Sequence, residues 1–252
     1  MSELNNNKNS ANFGFKKVTE TEKVSLVNNV FTSVTSRYDL MNDLMSFGTH
    51  RIWKKYFLLC SNIKKGDVVL DLASGTGDIT KLASKAVGEE GLVISCDINY
   101  SMLNQGRDNL IDQGLIKNIL YVQSDAQHLA FQENSFDHVT IAFGLRNTAN
   151  IEEALASIYK ILKPGGSVQI LEFSKAEKII EKPYKVFLKN FVPLLGKYVA
   201  NDENSYKYLA ESIEMHPSQQ SLIEVMELSQ FKNCKYNNMS FGIVSIHKGY
   251  KI

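Results

Sequence analysis

From residue 66 onward, short apolar runs alternate along the chain with amphipathic stretches. Residues 68–73, Val-Val-Leu-Asp-Leu-Ala, make an apolar run of strand length that ends in a glycine turn, the signature of a buried parallel strand. A helix is predicted over 76–87, a strand over 92–97, a helix over 102–113, and strands over 119–123 and 136–143. Residues 151–162 are amphipathic and stop at Lys163-Pro-Gly-Gly166, a helix terminator through both Pro and Gly, before a fifth strand over 168–173. Repeated strand-helix-strand units with right-handed crossovers give an α/β, Rossmann-like, doubly wound and mostly parallel sheet. Near the end, a helix over 222–229 leads into strands near 235–239 and 243–248, which read as an antiparallel hairpin added at the edge of a seven-stranded sheet.

The flanks break this alternation. Residues 1–17 are rich in Asn, Ser and Lys without an apolar core, and are expected to be a disordered tail. Residues 23–59 read as helical, with Val24, Val27, Val30, Phe31 and Val34 at helical spacing. The organisation expected is one domain over 18–252, with 18–65 as an N-terminal helical cap and 175–218 as a substrate-side insertion or lid.

Composition narrows the class. A formal charge of +1 over 252 residues steers nothing globally toward nucleic acid or anionic membrane. The three cysteines, Cys60, Cys96 and Cys234, are too far apart for a Cys-x-x-Cys site, so reduced thiols are expected and no metal is implied. The start lacks the apolar core of a signal peptide and no apolar run is long enough to span a bilayer, so a cytoplasmic protein is expected.

In an open parallel sheet, ligands bind beyond the carboxyl ends of the strands where the topology reverses. Three strand ends carry suitable chemistry. At the first, Asp71-Leu-Ala-Ser-Gly-Thr-Gly77, Gly75 and Gly77 permit a sharp turn and close backbone approach, and the helix near Thr76 offers free amides. At the second, Asp97 lies twenty positions beyond Gly77, where a carboxylate can accept both ribose hydroxyls of an adenosine; it can equally be a helix cap. At the third, Asp125 can receive the exocyclic amine of adenine while Ala126 leaves room for the ring. The nicotinamide fingerprint wants a small residue three positions after Gly77, where Thr80 fits poorly. Pyrophosphate would also be repelled by Asp71. A cationic adenosine, S-adenosylmethionine, suits an acid-lined loop better.

The motifs Leu70-Asp-Leu-Ala-Ser-Gly-Thr-Gly-Asp78, Phe143-Gly-Leu-Arg-Asn147, Leu162-Lys-Pro-Gly-Gly166 and Leu171-Glu-Phe-Ser-Lys175 resemble those of class I methyltransferases of quinone biosynthesis. With Tyr38-Asp-Leu-Met-Asn-Asp43, Ser205-Tyr-Lys-Tyr-Leu-Ala-Glu-Ser-Ile213 and Gly242-Ile-Val-Ser-Ile-His247, the chain resembles the UbiE family of ubiquinone/menaquinone C-methyltransferases from about Phe31 to its end. The resemblance implies S-adenosylmethionine bound by Thr76, Asp97, Asp125 and Ala126, and C-methylation of a polyprenylated hydroquinone. That acceptor would be 2-methoxy-6-polyprenyl-1,4-benzoquinol, demethylmenaquinol or both. The chain departs from the pattern at Ser74, where relatives often have Gly, at Ala142, where many have Ser, at Ala176 for Pro and at Glu214 for Arg. Loss of the Ser hydroxyl at Ala142 removes one expected cofactor contact.

Ring-carbon methylation needs the carbon aligned with the sulfonium methyl, water excluded and a proton removed. Arg146 and Asn147 follow the fourth strand and are the catalytic candidates: Arg146 to stabilise a phenolate or orient a water, Asn147 to position the quinol oxygen. The competing reading is a structural salt bridge and a loop hydrogen bond. Tyr38, Asp39 and Asp43 of the cap would close over the ring, or serve only as packing and capping. Tyr184, Phe187, Leu188, Phe191 and Leu195 recur at helical spacing among Lys182, Lys185, Lys189 and Lys197, so 178–199 reads either as peripheral membrane contact or greasy lid, or as core packing. Partners left open are a homodimer and a quinone-biosynthesis complex at the inner face of the membrane; no nucleic acid is expected, for want of a concentrated basic stripe. Methylation of another lipid or phenol, nicotinamide chemistry and a silent adenosine-binding regulator are the alternatives.

Overall fold

A computed structural model describes residues 10–200 and 202–252. It begins with a hairpin, β1 (Ser10–Phe13) and β2 (Lys16–Thr19), paired antiparallel. This corrects the expected tail: the residues from 10 to 17 are ordered by distant contacts rather than by their own apolar pattern. The Phe13 ring stacks on Tyr208 at 4.1 Å, and the Phe15 amide donates to Glu211 at 3.2 Å. The expectation for residues 1–9 lies outside the described residues.

The N-terminal helical region is not continuous. It comprises α1 (Glu20–Val34), a 3₁₀ turn (Thr35–Arg37), α2 (Tyr38–Ser46) and α3 (His50–Leu59). Thr19 and Glu22 form a reciprocal capping box that starts α1. Phe47 and Gly48, at φ 50° and 72°, stop α2 with left-handed backbone. Apolar spacing persists through these breaks, which is why the sequence pattern alone runs them together.

Next come β3 (Val68–Leu72), α4 (Asp78–Val87), β4 (Leu92–Asp97), α5 (Tyr100–Asp112), β5 (Ile119–Gln123) and β6 (Phe136–Ala142). They are followed by α6 (Ile151–Ile161) and β7 (Leu162–Phe173). Residues 178–200 are helical throughout, as α7 (Lys178–Val186), a π segment (Phe187–Phe191), α8 (Val192–Leu195) and a second π segment (Gly196–Ala200). The polar stretch that follows holds α9 (Glu203–Met215), which sequence periodicity missed. The chain closes with α10 (Gln219–Leu228), β8 (Lys232–Met239) and β9 (Val244–Tyr250).

The seven-stranded sheet has the order β5-β4-β3-β6-β7-β9-β8. All pairs from β5 to β7 are parallel, whereas β9 is antiparallel to both β7 and β8. Strand alternation divides the core. Leu70, Leu72, Ile94 and Cys96 face Leu155 and Ile158 of α6, while Val69 and Val93 face Ala83 and Val87 of α4. Strand β3 lies between β4 and β6, so the chain winds away from it in both directions, and the carboxyl ends of β3, β4 and β6 open one crevice.

Candidate active site

Two clefts adjoin at this crevice. The first is lined by Ala73 and Gly75 after β3, Asp97 at the end of β4, Ser124 to Gln127 after β5, and Ala142 to Gly144 after β6. Helix α1 closes it with Val24, Val27, Asn28 and Phe31. Asn99, the cap of α5, fastens that cover: its side-chain amide donates to the Asn28 carbonyl, the Asn28 side chain and the Thr32 hydroxyl.

The Asp97 carboxylate accepts from the Gly75 amide at 2.9 Å and from the Asn99 amide at 2.8 Å. An ionised carboxylate has about four lone-pair directions, so two remain for hydroxyls of a ligand. Burial pushes the Asp97 pKa up, with the Asn99 and Gly75 amides opposing that rise. Asp125 accepts from the Gln127 amide at 3.0 Å and lines the same cleft beside Ala126. A space bordered by Ala126 and Met102, with Asp97 and Asp125 among its walls, fits an adenosine. Ala73 and Phe143 take left-handed backbone at φ 54° and 58° where β3 and β6 end. Such strain in non-glycine residues is retained where surrounding structure demands it. Here the demand is close approach, since a Cβ on Gly144 would lie 2.4 Å from that of Ala73.

Three residues expected at the cofactor are not among those that line this cleft. Asp71 is 1% exposed and lies behind the loop. Its two oxygens accept from Thr80 at 2.6 Å and Thr140 at 3.1 Å, tying β3 to α4 and β6. Burial raises its pKa to about 7 against those hydrogen bonds. Both oxygens of the acid are thus engaged within the protein, with Thr80 as one partner. The Thr76 hydroxyl donates to Asp39 at 2.9 Å, joining the loop to α2 and lying outside the residues that line the cleft. Gly77, at φ 89°, is the left-handed cap of α4; a Cβ there would stand 3.0 Å from Leu110, so packing against α5 explains the glycine.

The second cleft is aromatic. Its walls include Val34, Met45, Trp53, Phe173, Tyr206 and Tyr208, with His50, Lys54, Arg146 and Asn147 as polar members. Arg146 forms a buried ion pair with Glu172 of β7 at 2.8 Å, and its Nη1 also donates to the Phe143 carbonyl. Its guanidinium lies 5.5 Å from the Phe173 ring centroid, and its Nε is buried without a hydrogen-bond partner among the described residues. Arg146 is thus a buried structural partner of Glu172 that also lines the cavity. Glu172 is fully buried; burial raises its pKa and the Arg146 charge opposes the rise. Asn147 accepts from the Tyr208 hydroxyl at 3.0 Å.

Asp43 is not on the cavity wall. It stands behind His50, accepting from its Nε2 at 2.8 Å, and pairs with Arg51 at 2.6 Å. Sequence reading missed Glu172 and His50. An acid inside the apolar Leu-Glu-Phe of a central strand is a signal that a buried partner must exist. His50 carries no such mark, because its place depends on the turn at Phe47 and Gly48.

Phe31, Tyr38, Phe143 and Asn147 line both clefts. The two clefts therefore adjoin along these four side chains, of which Tyr38 and Asn147 are the polar ones.

Comparison with known proteins agrees with this arrangement. Residues 16–251 match the model of the ubiE/COQ5 methyltransferase family. A protein of Pseudoalteromonas translucida named ubiquinone/menaquinone biosynthesis C-methyltransferase UbiE is 53% identical over 243 residues, covering 96% of this chain and 97% of that one. One of the same name from Legionella pneumophila is 51% identical over 98% of this chain and all of its own. Among solved structures, a SAM-dependent methyltransferase of Thermotoga maritima superposes with a TM-score of 0.64 at 16% identity, over 90% of this chain and 100% of that one. A Haemonchus contortus phosphoethanolamine N-methyltransferase 2 in complex with S-adenosyl-L-methionine gives 0.60 at 15% identity, over 79% and 52%. The last two share the fold; the family match and the close relatives reach further, and the chain belongs to the ubiE/COQ5 methyltransferase family.

Proposed function

We propose that the protein transfers the methyl group of S-adenosylmethionine to a ring carbon of a polyprenylated hydroquinone in ubiquinone/menaquinone biosynthesis. The acceptor is 2-methoxy-6-polyprenyl-1,4-benzoquinol, demethylmenaquinol or both. One observation carries the reading: a cleft walled by Asp97, Asp125 and Ala126, suited to an adenosine, adjoins an aromatic cleft suited to a quinol ring. Asp97 and Asp125 hold the ribose and adenine, Ala126 and Gly75 leave room for them, and Asp71, Thr76 and Gly77 keep the loop in shape. When bound, the cofactor supplies an electrophilic methyl group. Arg146 favours a phenolate at the ring oxygen, and Asn147 and Tyr38 orient the ring across the shared wall. Asp43 acts through His50.

Residues 18–252 work as one methyltransferase unit, with 18–65 as cap and 175–218 as lid. Leu188 and Val192 pack inward against Val34, Tyr206 and Ile213, beside the acceptor cleft. Val186, Phe191, Leu194 and Tyr198 stay exposed among Lys182, Lys185, Lys189 and Lys197, with exposed Phe47 beside Phe187. That face suits the interfacial layer of a membrane, from which a prenyl chain enters under the lid. No helix among the described residues is long and apolar enough to cross a membrane. The direct test is anaerobic methyl transfer from methyl-labelled S-adenosylmethionine to each reduced quinone, side by side. Label in the ring of at least one is expected. Label in neither, with transfer to another phenol or lipid, overturns the proposed acceptor.

A further inference from the structure

His50 opens α3 and lines the acceptor cleft while only 5% exposed. Its two ring nitrogens are in different situations. Nε2 faces Asp43 Oδ1 at 2.8 Å. Asp43 is also gripped by the Arg51 guanidinium, through Nε at 3.0 Å and Nη2 at 2.6 Å. Hydrogen bonds from Arg51, then from His50, hold the Asp43 pKa down at about 2, so it is a carboxylate at any working pH. A carboxylate only accepts, so Nε2 carries the hydrogen and the lone pair of the neutral ring is on Nδ1; the tautomer is assigned from this network. Nδ1 is buried and has no hydrogen-bond partner among the described residues. A buried lone pair with no protein partner, on a residue that lines the acceptor cleft and backed by a fixed carboxylate, is the arrangement of an oriented base.

We propose that His50 is the general base of the methyl transfer, with Asp43 as its positioning residue. The inference rests on the phenolic acceptor proposed above. His50 Nδ1 takes the hydroxyl proton of the acceptor and becomes an imidazolium facing Asp43. The phenolate pair, delivered through the ring, makes the ring carbon the nucleophile. The carbon–carbon bond forms as the sulfur–methyl bond breaks, and that bond's electron pair stays on sulfur. The methylated ring carbon then loses its proton to water, restoring aromaticity, and His50 returns its proton to the ring oxygen. One proton is released in total, from the ring carbon.

The charges around His50 suit this cycle. Burial lowers its pKa, with Lys54 adding to the drop and Asp43 and Asp78 opposing it, so the ring is neutral and ready near neutral pH. Lys54 is itself paired with Asp78 of α4 at 2.7 Å, and Arg146, Tyr38, Tyr206 and Tyr208 complete the titratable groups on the cleft wall.

The test uses the full chain and its His50→Ala and His50→Gln variants. Loss of a general base is expected to lower kcat by about 10²–10⁴. S-adenosylhomocysteine affinity by calorimetry should be unchanged, and added imidazole should restore turnover to His50→Ala alone. Asp43→Asn should move the acidic limb of the wild-type kcat profile to lower pH, because a carboxylate that raises the His50 pKa is gone. A readout free of turnover is the absorbance titration of bound 1-naphthol: a neutral His50 that accepts from its hydroxyl stabilises the protonated form, so the wild-type protein should ionise it at higher pH than His50→Ala does. Wild-type kcat in His50→Gln overturns the proposal. So does an inactive His50→Ala protein that imidazole does not rescue and that ionises 1-naphthol as wild type does. A wild-type protein inert toward every quinol, yet shifting the ionisation of bound 1-naphthol through His50, would instead count against the acceptor and leave the base standing.

Discussion

The Arg146–Glu172 pair allows the stability and the chemistry of one side chain to be measured apart. The pair is buried on both sides, with side-chain exposures of 4% and 0%, and joins the turn after β6 to β7. Removing one partner strands the other charge in the interior, which costs about 3–5 kcal/mol. Replacing both with apolar groups of similar volume is often neutral or better. Arg146→Met and Glu172→Leu should therefore each lose about 3 kcal/mol or more in urea unfolding, out of a total on the order of 5–15 kcal/mol. The double variant should recover most of that loss. A coupling of about 3 kcal/mol in the cycle is the signature of a pair whose members need each other more than the fold needs either. Methyl transfer should behave differently. Arg146 lines the acceptor cleft, so turnover should stay low in the double variant although stability returns and S-adenosylhomocysteine still binds. Singles within about 1 kcal/mol of wild type would refute the claim that the pair is buried and uncompensated. Turnover restored along with stability would show that Arg146 serves the acceptor only by holding the fold.

Other perturbations separate residues that the sequence grouped together. Asp97→Asn should weaken S-adenosylhomocysteine binding by about 1.5–3 kcal/mol, a loss of hydrogen bonds to a charged group, whereas Asp71→Asn, behind the loop, should change the calorimetric Kd far less; equal losses would return Asp71 to the ligand. Gly77→Ala forces a side chain into left-handed backbone and against Leu110, and should cost about 1–2 kcal/mol in thermal or urea unfolding; an unchanged midpoint would mean that the loop shifts freely. Acid stability follows from His216 and His247, whose pKa values burial lowers to about 3 and about 4 from 6.5. Both are neutral when folded, and the unfolded chain takes up their protons near pH 6.5, so stability is full above that pH and falls toward pH 4, by up to about 1.4 kcal/mol per pH unit for each group. His216→Asn should flatten that slope in urea titrations run across pH; an unaltered slope would show that His216 is accessible to protons in the folded state.

What the sequence disclosed and what it withheld follow a physical division. Strands β3 to β7 were legible because a parallel sheet buried on both faces requires short, nearly continuous apolar runs. The place of Asp97, Asp125 and Ala126 in the cleft was legible because topology alone puts strand ends at the crevice. The loop was only half legible: its glycines mark a turn, yet which of its polar groups meets a ligand depends on the side of the strand that each occupies. Asp71 points back into α4 and β6, and its neighbour Thr80 looked out of place only while its partner was unknown. The N-terminal hairpin was illegible for the opposite reason. It has almost no pattern of its own and is ordered by Tyr208 and Glu211, nearly two hundred residues away.

The same division explains why the acceptor side was harder to read than the donor side. Donor residues sit at the ends of sheet strands, where register fixes them. The acceptor cleft is assembled from α1, α2, α3, the turn after β6, β7 and α9. No periodicity couples these segments; long contacts do, such as Lys54 to Asp78, Tyr208 to Asn147, and buried Lys23 donating to the Thr148 carbonyl at 2.7 Å. Each contact joins the N-terminal cap or α9 to the rim of the sheet. Specificity for the acceptor can thus change through the cap and lid while the sheet and its donor site stay fixed. His50 illustrates the result, since its orientation is set by Asp43, itself held by Arg51, within the cap and away from the strand ends.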